Sequence, residues 1–569
     1  MRHAWLPFVL LAALNAQPVS RDYGRSMTVT RHGIAATSQI LASQAGAEML
    51  ARGGSAADAA IAANAVLGLV EPMMDGMGGD LFALYWDAKS ARLYGLNSSG
   101  WAPKGMTTGY FARKGVTAMP GTGIDSVIVP GCVAGWAAAH KRFGKLPWKT
   151  LFEPAIHYAT EGFPVTERIA AAWGGASIKR LSMSEGAPEI FLPEGKPPAQ
   201  GQVFRNPALA KAMTRVAEEG ATAFYRGDIA KAIVAVERQL GGSMELADLA
   251  EFEPEWVDPV STTYRGWRVY ELPPNGQGIG ALEMLNLMET AKLGDYQAMS
   301  AAALHWKIES MRIAYTDLRK YVSDPRFVNV PVDQMLSKDY ARRRAAGIDS
   351  NRAQCKTEPG DFGMSGGVSG NTTYLATVDA DGNIASWIQS VSGLWGSAVA
   401  VPGFGFHLQN RGGSFKLDPQ HANALLPRKR PFHTIIPGFA EKDGQRLGFG
   451  IMGGPVQPLS HAQFISNIAD HGMNLQAAIE APRFIETRAT PGRKLEGCEV
   501  SMETRVPVEV RQALERRGHK ITELGPYNIM HAGTGQAVMH DSATKVNSAA
   551  SDPRGDGAAI PESPRRAYR

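Results

Sequence analysis

The sequence has 569 residues, 44% of them hydrophobic and 20% charged, which is typical of a folded globular protein with room for one large or two ordinary domains. The formal net charge of +5 is spread along the chain, and no basic run is interleaved with aromatic residues, which argues against a nucleic-acid-binding protein. The 13 His residues include no H-E-x-x-H or similar ligand spacing, so no catalytic metal is predicted.

The first 16 residues, "MRHAWLPFVLLAALNA", have the pattern of an export signal. Arg2 precedes an apolar run of about 11 residues that ends in small residues. Leu14 is an imperfect fit to the cleavage pattern, and a buried N-terminal helix is the alternative interpretation. The run is too short to span a bilayer, and no later segment reaches 18 uninterrupted apolar residues. We therefore predict a periplasmic or secreted protein without a membrane span.

Two packed helices are predicted next, in "SQILASQAGAEMLARGGSAADAAIAANAVLGLVEP". Gly53 and Gly54 interrupt the helical spacing of the apolar residues, and Ser55 with Asp58 has the S-x-x-D form of a capping box. The second helix is apolar on nearly every face, which predicts a central, buried position.

The middle of the chain is predicted to be mostly helical. "MDGMGGDLFALYWDAKSARLYGLN" has the pattern of a Gly-rich turn followed by two strands. From about Pro130 to Asp324 the apolar residues recur mainly at helical spacing. "NGQGIG" at 275–280 lacks the full dinucleotide fingerprint and predicts a tight turn into a helix, so no cofactor is expected.

A loop and two hairpins are predicted in the last third. Residues 350–371, "SNRAQCKTEPGDFGMSGGVSGN", lack periodicity, which indicates an exposed mobile connection. "TYLATVDADGNIASWIQS" alternates around Asp381 and Gly382, and a second strand, turn, strand pattern surrounds Asp443 and Gly444. Helices return after it, so the α, β, β, α order predicts two stacked sheets covered by helices.

Two candidate nucleophiles lie near this loop. "GMSGG" at 363–367 fits G-x-S-x-G, but that motif needs a strand before the Ser and a helix after it, and both flanks are Gly-rich here. Thr372 lies between the loop and the predicted strand. A threonine hydroxyl needs a base, and an N-terminal threonine supplies its own α-amine, with a pKa of about 8. If the Thr372 hydroxyl attacked the Asn371 carbonyl and the ester hydrolysed, that amine would be released beside the hydroxyl; an ordinary strand pair, Thr372-Thr373, is the alternative.

Several long motifs follow one another along the chain. They are "LASQAGAEMLARGGSAADAAIAANAVLGLVEPMMDGMGGD", "VPGCVAGWAAAHKRFGKLPWKTLFEPAIHYATEGFPVT", "LPPNGQGIGALEMLNLME", "HWKIESMRIAYTDLRKYVSDP", "NTTYLATVDADGN", "PRKRPFHTIIPG", "MGGPVQP" and "SDPRGDGAA". In this order they closely resemble the gamma-glutamyltransferase family, also called glutathione hydrolases, and the resemblance covers about residues 28–560. The resemblance implies an α+β, four-layer αββα N-terminal nucleophile hydrolase. It further implies self-cleavage between Asn371 and Thr372 into a large subunit, 28–371, and a small subunit, 372–569, that share one fold.

The resemblance also implies catalytic roles. Thr372 is the expected nucleophile, which forms an acyl-enzyme that water hydrolyses or an amine accepts. The backbone of Gly453 and Gly454 is expected to bind the oxyanion. Ser390 matches a hydroxyl residue that hydrogen-bonds the nucleophile.

The family's clamp for the charged head of a glutamyl group is not matched. "LNSSGWAP" offers Ser99 and Trp101 but no arginine, and Ser392 replaces an asparagine. Ser414 stands where an acidic residue is expected, and His433-Thr434 replaces a serine pair. A buried charge without its partner is costly, so a free glutamyl head is expected to bind poorly.

These departures predict an amide hydrolase with a different acyl specificity, as in acylase-like and oxamate amidohydrolase-like relatives. Arg411 is predicted to contact a carboxylate or polar acyl group, with a surface salt bridge as the alternative. Trp101 and Trp395 are predicted to line an apolar pocket, with core packing as the alternative. Ser414, His433 and Thr434 complete the predicted substrate site. The expected partner is a small-molecule amide. The alternatives are a true glutathione hydrolase or transpeptidase, and an unprocessed binding protein with the same fold.

Only three cysteines are present, Cys132, Cys355 and Cys498, and none has metal-type spacing. One disulfide is possible among them in an oxidising compartment.

Overall fold

A computed structural model describes residues 23–174, 176–182, 184, 186–361, 371–487 and 495–564. The predicted export signal, the G-x-S-x-G match at 363–367 and residues 362–370 of the predicted loop lie outside these ranges. Within them, no helix is both long and apolar enough to cross a bilayer.

The described residues form nineteen strands. In chain order they are β1 Thr28–Thr30, β2 Ile34–Thr37, β3 Asp80–Asp87, β4 Arg92–Ser98, β5 Phe163–Pro164, β6 Val203–Phe204, β7 Glu255–Val257, β8 Val260–Tyr264, β9 Trp267–Glu271, β10 Asn371–Val378, β11 Ile384–Ser392, β12 Gly438–Lys442, β13 Gln445–Ile451, β14 Phe484–Glu486, β15 Glu499–Glu503, β16 Lys520–Leu524, β17 Gly535–Asp541, β18 Val546–Ser551 and β19 Ala558–Pro561.

The same ranges contain twenty α-helices. They are α1 Ile40–Ala51, α2 Ala56–Val70, α3 Thr108–Arg113, α4 Cys132–Phe143, α5 Glu153–Glu161, α6 Glu167–Trp173, α7 Ala176–Ser182, α8 Ala187–Phe191, α9 Pro207–Glu219, α10 Ala221–Tyr225, α11 Asp228–Gln239, α12 Leu246–Ala250, α13 Gly278–Glu289, α14 Ala301–Tyr321, α15 Val332–Met335, α16 Lys338–Ala345, α17 Gln457–Ala469, α18 Leu475–Glu480, α19 Val508–Arg516 and α20 Ile529–Ala532.

Two seven-stranded antiparallel sheets form the centre of the fold. Sheet I has the order β19-β2-β10-β11-β3-β4-β7, and sheet II has the order β1-β18-β17-β13-β12-β9-β8. They face each other, with β10 against β13 and β17 and with β11 against β13. The smaller sheets are β14-β15-β16, in which β15 and β16 run parallel, and β5-β6. The prediction of two stacked sheets is thus confirmed.

Helices cover the outer faces of both sheets. On sheet I, α1 packs against β2, and α2 against β10 and β11; on sheet II, α13 packs against β8 and β9, and α17 against β13. The predicted capping box at Ser55 and Asp58 is present at the start of α2, and all but one residue of this helix is buried. An alanine-rich helix can be buried on all sides because its small side chains let neighbours approach closely.

The two predicted hairpins are also confirmed. β10 and β11 turn around Asp381-Gly382, and β12 and β13 around Asp443-Gly444. Gly382 and Gly444 both have a φ near +80°, which glycine adopts without strain. The hairpin of β10 and β11 lies in the middle of sheet I. Residues 375–378 of β10 pair with β2 as well as with β11, whereas the start of β10 pairs with β11.

Candidate active site

Thr372 is the second residue of β10 and is buried at the end of the strand where sheet I meets α17. Asn371 pairs with Ser392 and Thr373 pairs with Gln389, so β11 carries one extra residue opposite Thr372. This β-bulge leaves Ser390 and Val391 together opposite a single residue of β10, Thr372.

The Thr372 hydroxyl is held by a side chain of sheet II's covering helix. Gln457, the first residue of α17, donates from Nε2 to Thr372 Oγ1 at 3.1 Å. The Gln457 Oε1 accepts from the Ile436 N–H at 3.1 Å, which fixes the orientation of the amide. Since Oγ1 accepts this bond, its own proton remains available to a base.

Two glycines, Gly453 and Gly454, follow β13 and form a turn near Thr372. Gly453 has a φ of +140° and Gly454 a φ of +63°, and a short 3-10 turn over Gly454–Val456 leads from them into α17. Gln277 Nε2 donates to the Gly454 carbonyl at 2.8 Å and to the Thr434 carbonyl at 2.6 Å, which ties the glycine turn to a neighbouring segment. Only glycine adopts such backbone angles without strain, and the turn brings the Gly453 backbone beside Thr372.

Thr372 and Gly453 lie on the wall of one cavity of about 330 Å³. Most of its lining is apolar, and the ionisable side chains among the described lining residues are Glu71, Arg168, Tyr527 and Asp556. The other lining residues are Ser38, Met74, Ile169, Ala171, Ala172, Leu394, Met452, Pro526, Asn528 and Gly555. A concave, mostly apolar space with a few polar groups is typical of a small-molecule site.

Ser390 connects this site to a buried charged cluster. Its Oγ accepts from the Ser392 N–H at 2.7 Å and from Arg411 Nη2 at 3.2 Å. Arg411 also donates from Nη1 to Thr434 Oγ1 at 2.8 Å, and its side chain is fully buried. Burial lowers the pKa of Arg411 to about 10, so the side chain stays cationic at neutral pH.

Asp80 and His433 complete the cluster. His433 Nδ1 accepts from the Ile435 N–H at 3.3 Å, so the proton is on Nε2, which donates to Asp80 Oδ2 at 2.9 Å. Burial, together with the nearby Arg411, lowers the pKa of His433 to about 4. The imidazole is therefore neutral, and the one charge partner of Arg411 in the cluster is Asp80, whose Oδ2 is 4.0 Å from Arg411 Nε.

Several predicted substrate-binding residues do not line the cavity. Arg411, His433 and Thr434 are buried in the cluster just described, and the Ser414 carbonyl accepts from Asn423 Nδ2 at 2.8 Å. Trp101 packs edge-on against Phe252, with 4.9 Å between ring centroids. Trp395 is fully buried against Trp173 and Phe191, while its neighbour Leu394 reaches the cavity. Both tryptophans are therefore buried in aromatic surroundings outside the lining of this cavity.

Four residues of the site were missed in the sequence: Glu71, Arg168, Gln457 and Asp556. Each is far from Thr372 along the chain, so no local pattern marks it. Glu71, Gln457 and Asp556 nevertheless lie inside "GLVEP", "MGGPVQP" and "SDPRGDGAA", three of the stretches that carry the family resemblance. Their positions inside these stretches were the signal in the sequence that could have identified them as site residues.

One group among the described residues has the composition of a metal site, and it lies away from the cavity. His305, Glu309 and His519 bring their ligand atoms within 4.8 Å of one another. His305 Nδ1 and His519 Nε2 already share a hydrogen bond of 2.7 Å, and Arg312 contacts both His519 and Glu309. A guanidinium in this position disfavours a cation, so the group is explained as a buried hydrogen-bond network.

Comparisons with known proteins extend over nearly the whole chain. A family model described as "Gamma-glutamyltranspeptidase" matches residues 42–562. The chain is 38% identical over 524 residues to the "Glutathione hydrolase-like YwrD proenzyme" of Bacillus subtilis strain 168, covering 91% of this chain and 96% of that protein. It is 34% identical over 532 residues to the "Acylase ACY 1 proenzyme" of Pseudomonas sp. strain SE83, covering 91% of each. The crystal structure of a cephalosporin acylase from Bacillus halodurans superposes with a TM-score of 0.87 and 41% identity, covering 96% of this chain and 99% of that one.

Proposed function

The chain belongs to the gamma-glutamyltranspeptidase family of proenzyme amidohydrolases, and from that premise we propose that Thr372 is the nucleophile of a self-processing hydrolase that cleaves a small amide with a non-glutamyl acyl group. The observation that carries the proposal is the position of the Thr372 hydroxyl, which is bonded by Gln457 on the wall of an apolar cavity beside Gly453.

Processing precedes turnover in this proposal. The Thr372 hydroxyl attacks the Asn371 carbonyl, the peptide C–N bond breaks, and water hydrolyses the resulting ester. The products are a large subunit, 28–371, and a small subunit, 372–569, that begins with a free threonine. The order of helix, sheet, sheet and helix layers supports the four-layer architecture of N-terminal nucleophile hydrolases for the assembled pair.

The same hydroxyl then attacks the substrate amide. The new α-amine takes the hydroxyl proton and delivers it to the leaving amine, and the acyl group stays on Thr372 as an ester until water or an acceptor amine removes it. The Gly453 and Gly454 backbone is suited to bind the oxyanion, because preorganised N–H groups stabilise the charge that develops in a tetrahedral intermediate. Ser390, opposite Thr372 across the bulge, is suited to orient the nucleophile.

The acyl preference rests on the buried cluster. Positions that match the family's head-group clamp, His433 and Thr434 among them, are engaged in bonds to Asp80 and Arg411 and do not line the cavity. A glutamyl ammonium and carboxylate would have to be desolvated without these partners. The mostly apolar lining, from Met74 to Met452, suits an acyl group with a larger apolar part.

A glutathione hydrolase or transpeptidase is the second candidate, favoured by the name of the relative that is 38% identical. A panel of substrates distinguishes this candidate from the non-glutamyl amide hydrolase. It contains a gamma-glutamyl anilide, simple acyl anilides, oxamate and cephalosporin-type side-chain amides, and the rate of hydrolysis of each is measured. We expect turnover of acyl amides to exceed that of the gamma-glutamyl anilide, and the reverse order would favour the second candidate.

Processing is tested with Thr372→Ala and Thr372→Ser. We expect the Ala variant to remain full-length and inactive, and the Ser variant to cleave and turn over slowly, because serine keeps the hydroxyl and the amine. N-terminal sequencing of the wild-type small fragment should begin at Thr372. Active, uncut wild-type protein would contradict the proposal, and uncut protein without activity would favour the unprocessed binding protein.

We also propose export to the periplasm or the medium. The disulfide between Cys355 and Cys498 supports this, since disulfides persist in oxidising compartments. Cell fractionation with N-terminal sequencing of the large subunit is the test, and a cytoplasmic protein that starts at Met1 would contradict export.

A further inference from the structure

Glu71 lies at the end of the central helix and on the wall of the Thr372 cavity. It follows the last residue of α2, and its N–H donates to the Leu67 carbonyl at 2.8 Å. Only 2% of the residue is exposed, yet it is one of the lining residues of the cavity. Burial of a carboxyl group costs free energy unless hydrogen bonds or an opposite charge compensate for the lost water.

The carboxyl is bound by two hydroxyls. Ser38 Oγ donates to Glu71 Oε2 at 2.8 Å, and Thr373 Oγ1 donates to the same oxygen at 3.0 Å. Thr373 directly follows the proposed nucleophile, so the carboxyl is hydrogen-bonded to the second residue beyond the proposed scissile bond. Both hydroxyls are donors here, which is the arrangement that suits an ionised carboxylate.

Self-cleavage needs a proton acceptor other than the α-amine of Thr372, which serves as the base in the proposed mature enzyme. Before the cut, the nitrogen of Thr372 is an amide and cannot accept a proton, so another group must do so. Glu71 and Asp556 are the carboxyl groups among the described lining residues. Asp556 Oδ2 already accepts from the backbone N–H groups of Arg168 and Ile169 at 3.0 and 3.3 Å, so this oxygen is engaged in holding the start of α6.

We propose that Glu71 is the proton-accepting residue of the self-cleavage step, an inference that rests on the proposed cut before Thr372. The carboxylate takes the Oγ1 proton of Thr372, directly or through one water of the shared cavity, as Oγ1 bonds to the Asn371 carbonyl carbon. The C–N bond then breaks, and Glu71 returns the proton to the departing Thr372 nitrogen, which becomes the free amine. Water hydrolyses the ester, so Glu71 ends the sequence as it began.

The charges around Glu71 set the pH at which it can act. Burial raises its pKa to about 7, the hydroxyls of Ser38 and Thr373 oppose this shift, and Asp556 reinforces it. Asp75 in the turn after α2 is a second nearby acid, and Arg168 is the cation among the described residues that line the cavity. Because the ionised form is the base, cleavage should accelerate as the pH rises through about 7 and then level off.

The test is the rate of self-cleavage of the full chain, made by cell-free synthesis and followed on denaturing gels between pH 5 and pH 9. Glu71→Gln keeps an oxygen acceptor for the hydroxyls but cannot take a proton. We expect it to cleave about 100-fold more slowly at pH 8 and without the rise near pH 7, since a positioned base typically contributes 10²–10⁴-fold. Circular dichroism and gel filtration of the uncut variant show that it is folded.

Ser38→Ala is the second variant, chosen because it leaves the carboxyl in place. It removes a hydrogen bond that lowers the pKa of Glu71, so its cleavage profile should move to higher pH, which loss of packing alone would not produce. Cleavage of Glu71→Gln at the wild-type rate, or a Ser38→Ala profile that does not move, would overturn the inference. A wild-type chain without a Thr372 terminus would instead overturn the proposed function.

Discussion

Gln457 makes the hydrogen bond that holds the proposed nucleophile, and its own carbonyl oxygen is fixed by the Ile436 N–H. Gln457→Ala removes a donor to an oxygen whose charge changes during attack, so the loss should fall on kcat more than on KM. We expect kcat to drop by about 10- to 100-fold, the range of one hydrogen bond to a charged group. Steady-state kinetics on the best substrate of the amide panel give both constants.

Gln463→Ala is the matched control, since Gln463 is a buried amide on the same helix whose Nε2 donates to the Phe484 carbonyl at 3.1 Å, away from Thr372. It should lower the thermal midpoint and leave kcat near the wild-type value. Equal losses of kcat in the two variants would mean that Gln457 acts through the stability of α17.

Arg411 and Asp80 form the charged pair of the buried cluster, because His433 is neutral there. Arg411→Met leaves Asp80 as a buried anion without a cation and should destabilise the protein by about 3–5 kcal/mol. Asp80→Asn should also destabilise it, and the double variant should lose less than the sum of the two single changes. Thermal and denaturant midpoints of the four proteins measure this coupling, and additive losses would show that the two charges do not interact.

At the scale of single residues, motifs in the sequence marked some positions of the candidate site, and the fold revealed others. The double threonine and the glycine pair were identified from their motifs, and the structure brings Thr372 and Gly453 to one cavity. Gln457 is 85 residues from Thr372, and Glu71 is 302 residues from Thr373, so only the fold reveals these contacts. Trp395 and Arg411 were predicted to contact the substrate from their residue types, and the structure buries both side chains outside the lining of the Thr372 cavity.

The contact between sheets I and II depends on glycines of β13. A Cβ on Gly450 would lie 2.3 Å from a ring carbon of Tyr374, two residues beyond Thr372 on β10. Gly450→Ala should therefore push β10 away from β13, cost about 1–3 kcal/mol and slow self-cleavage. Differential scanning fluorimetry and the cleavage assay measure the two effects.

Gly121→Ala is the control for this change, because a Cβ on the exposed Gly121 meets no atom within 4 Å. It should leave both the thermal midpoint and the cleavage rate unchanged. A Gly450→Ala variant as stable and as quickly cleaved as this control would show that the two sheets have room to separate.

Local elements with strong patterns were predicted, and elements defined by distant pairing were not. Burial of α2 followed from its alanine content, and the two hairpins followed from their Asp-Gly turns. β7, β8 and β9 were missed inside a segment interpreted as mostly helical, since each is only three to five residues long. β8 pairs with β9 in a short hairpin, and β7 and β9 join their sheets through partners elsewhere in the chain. The parallel pair of β15 and β16 was missed for the same reason.

Strands from both sides of the proposed cut alternate within the sheets. In sheet I, β10, β11 and β19 follow Thr372 in the chain while β2, β3, β4 and β7 precede it, and β2 pairs with both β10 and β19. In sheet II, β8 and β9 pair with β12 from the other side of the cut. The two subunits therefore share their sheets and core, and neither contains a complete fold, so they should stay together after cleavage under native conditions.

A covalent link between the subunits follows from the position of the disulfide. Cys355 precedes Thr372 and Cys498 follows it, and the structure joins the two, while Cys132 is a buried free thiol. The segment around Cys355 is also anchored by backbone bonds, from the Ala353 N–H to the Arg517 carbonyl at 2.7 Å and from the Gly360 N–H to Asp317 Oδ1 at 2.6 Å. Cleavage before Thr372 thus leaves a large subunit whose end is tied to the small one.

Denaturing gels with and without reductant test this link. Processed wild-type protein should run as one band without reductant, near the 61.0 kDa of the full chain, and as two bands with it. Cys355→Ser should give two bands in both gels but still elute as one species in native gel filtration, because the shared sheets hold the subunits together without the disulfide. Two wild-type bands in the absence of reductant would show that the disulfide does not form, whereas a single band in both gels would show that the chain is not cut.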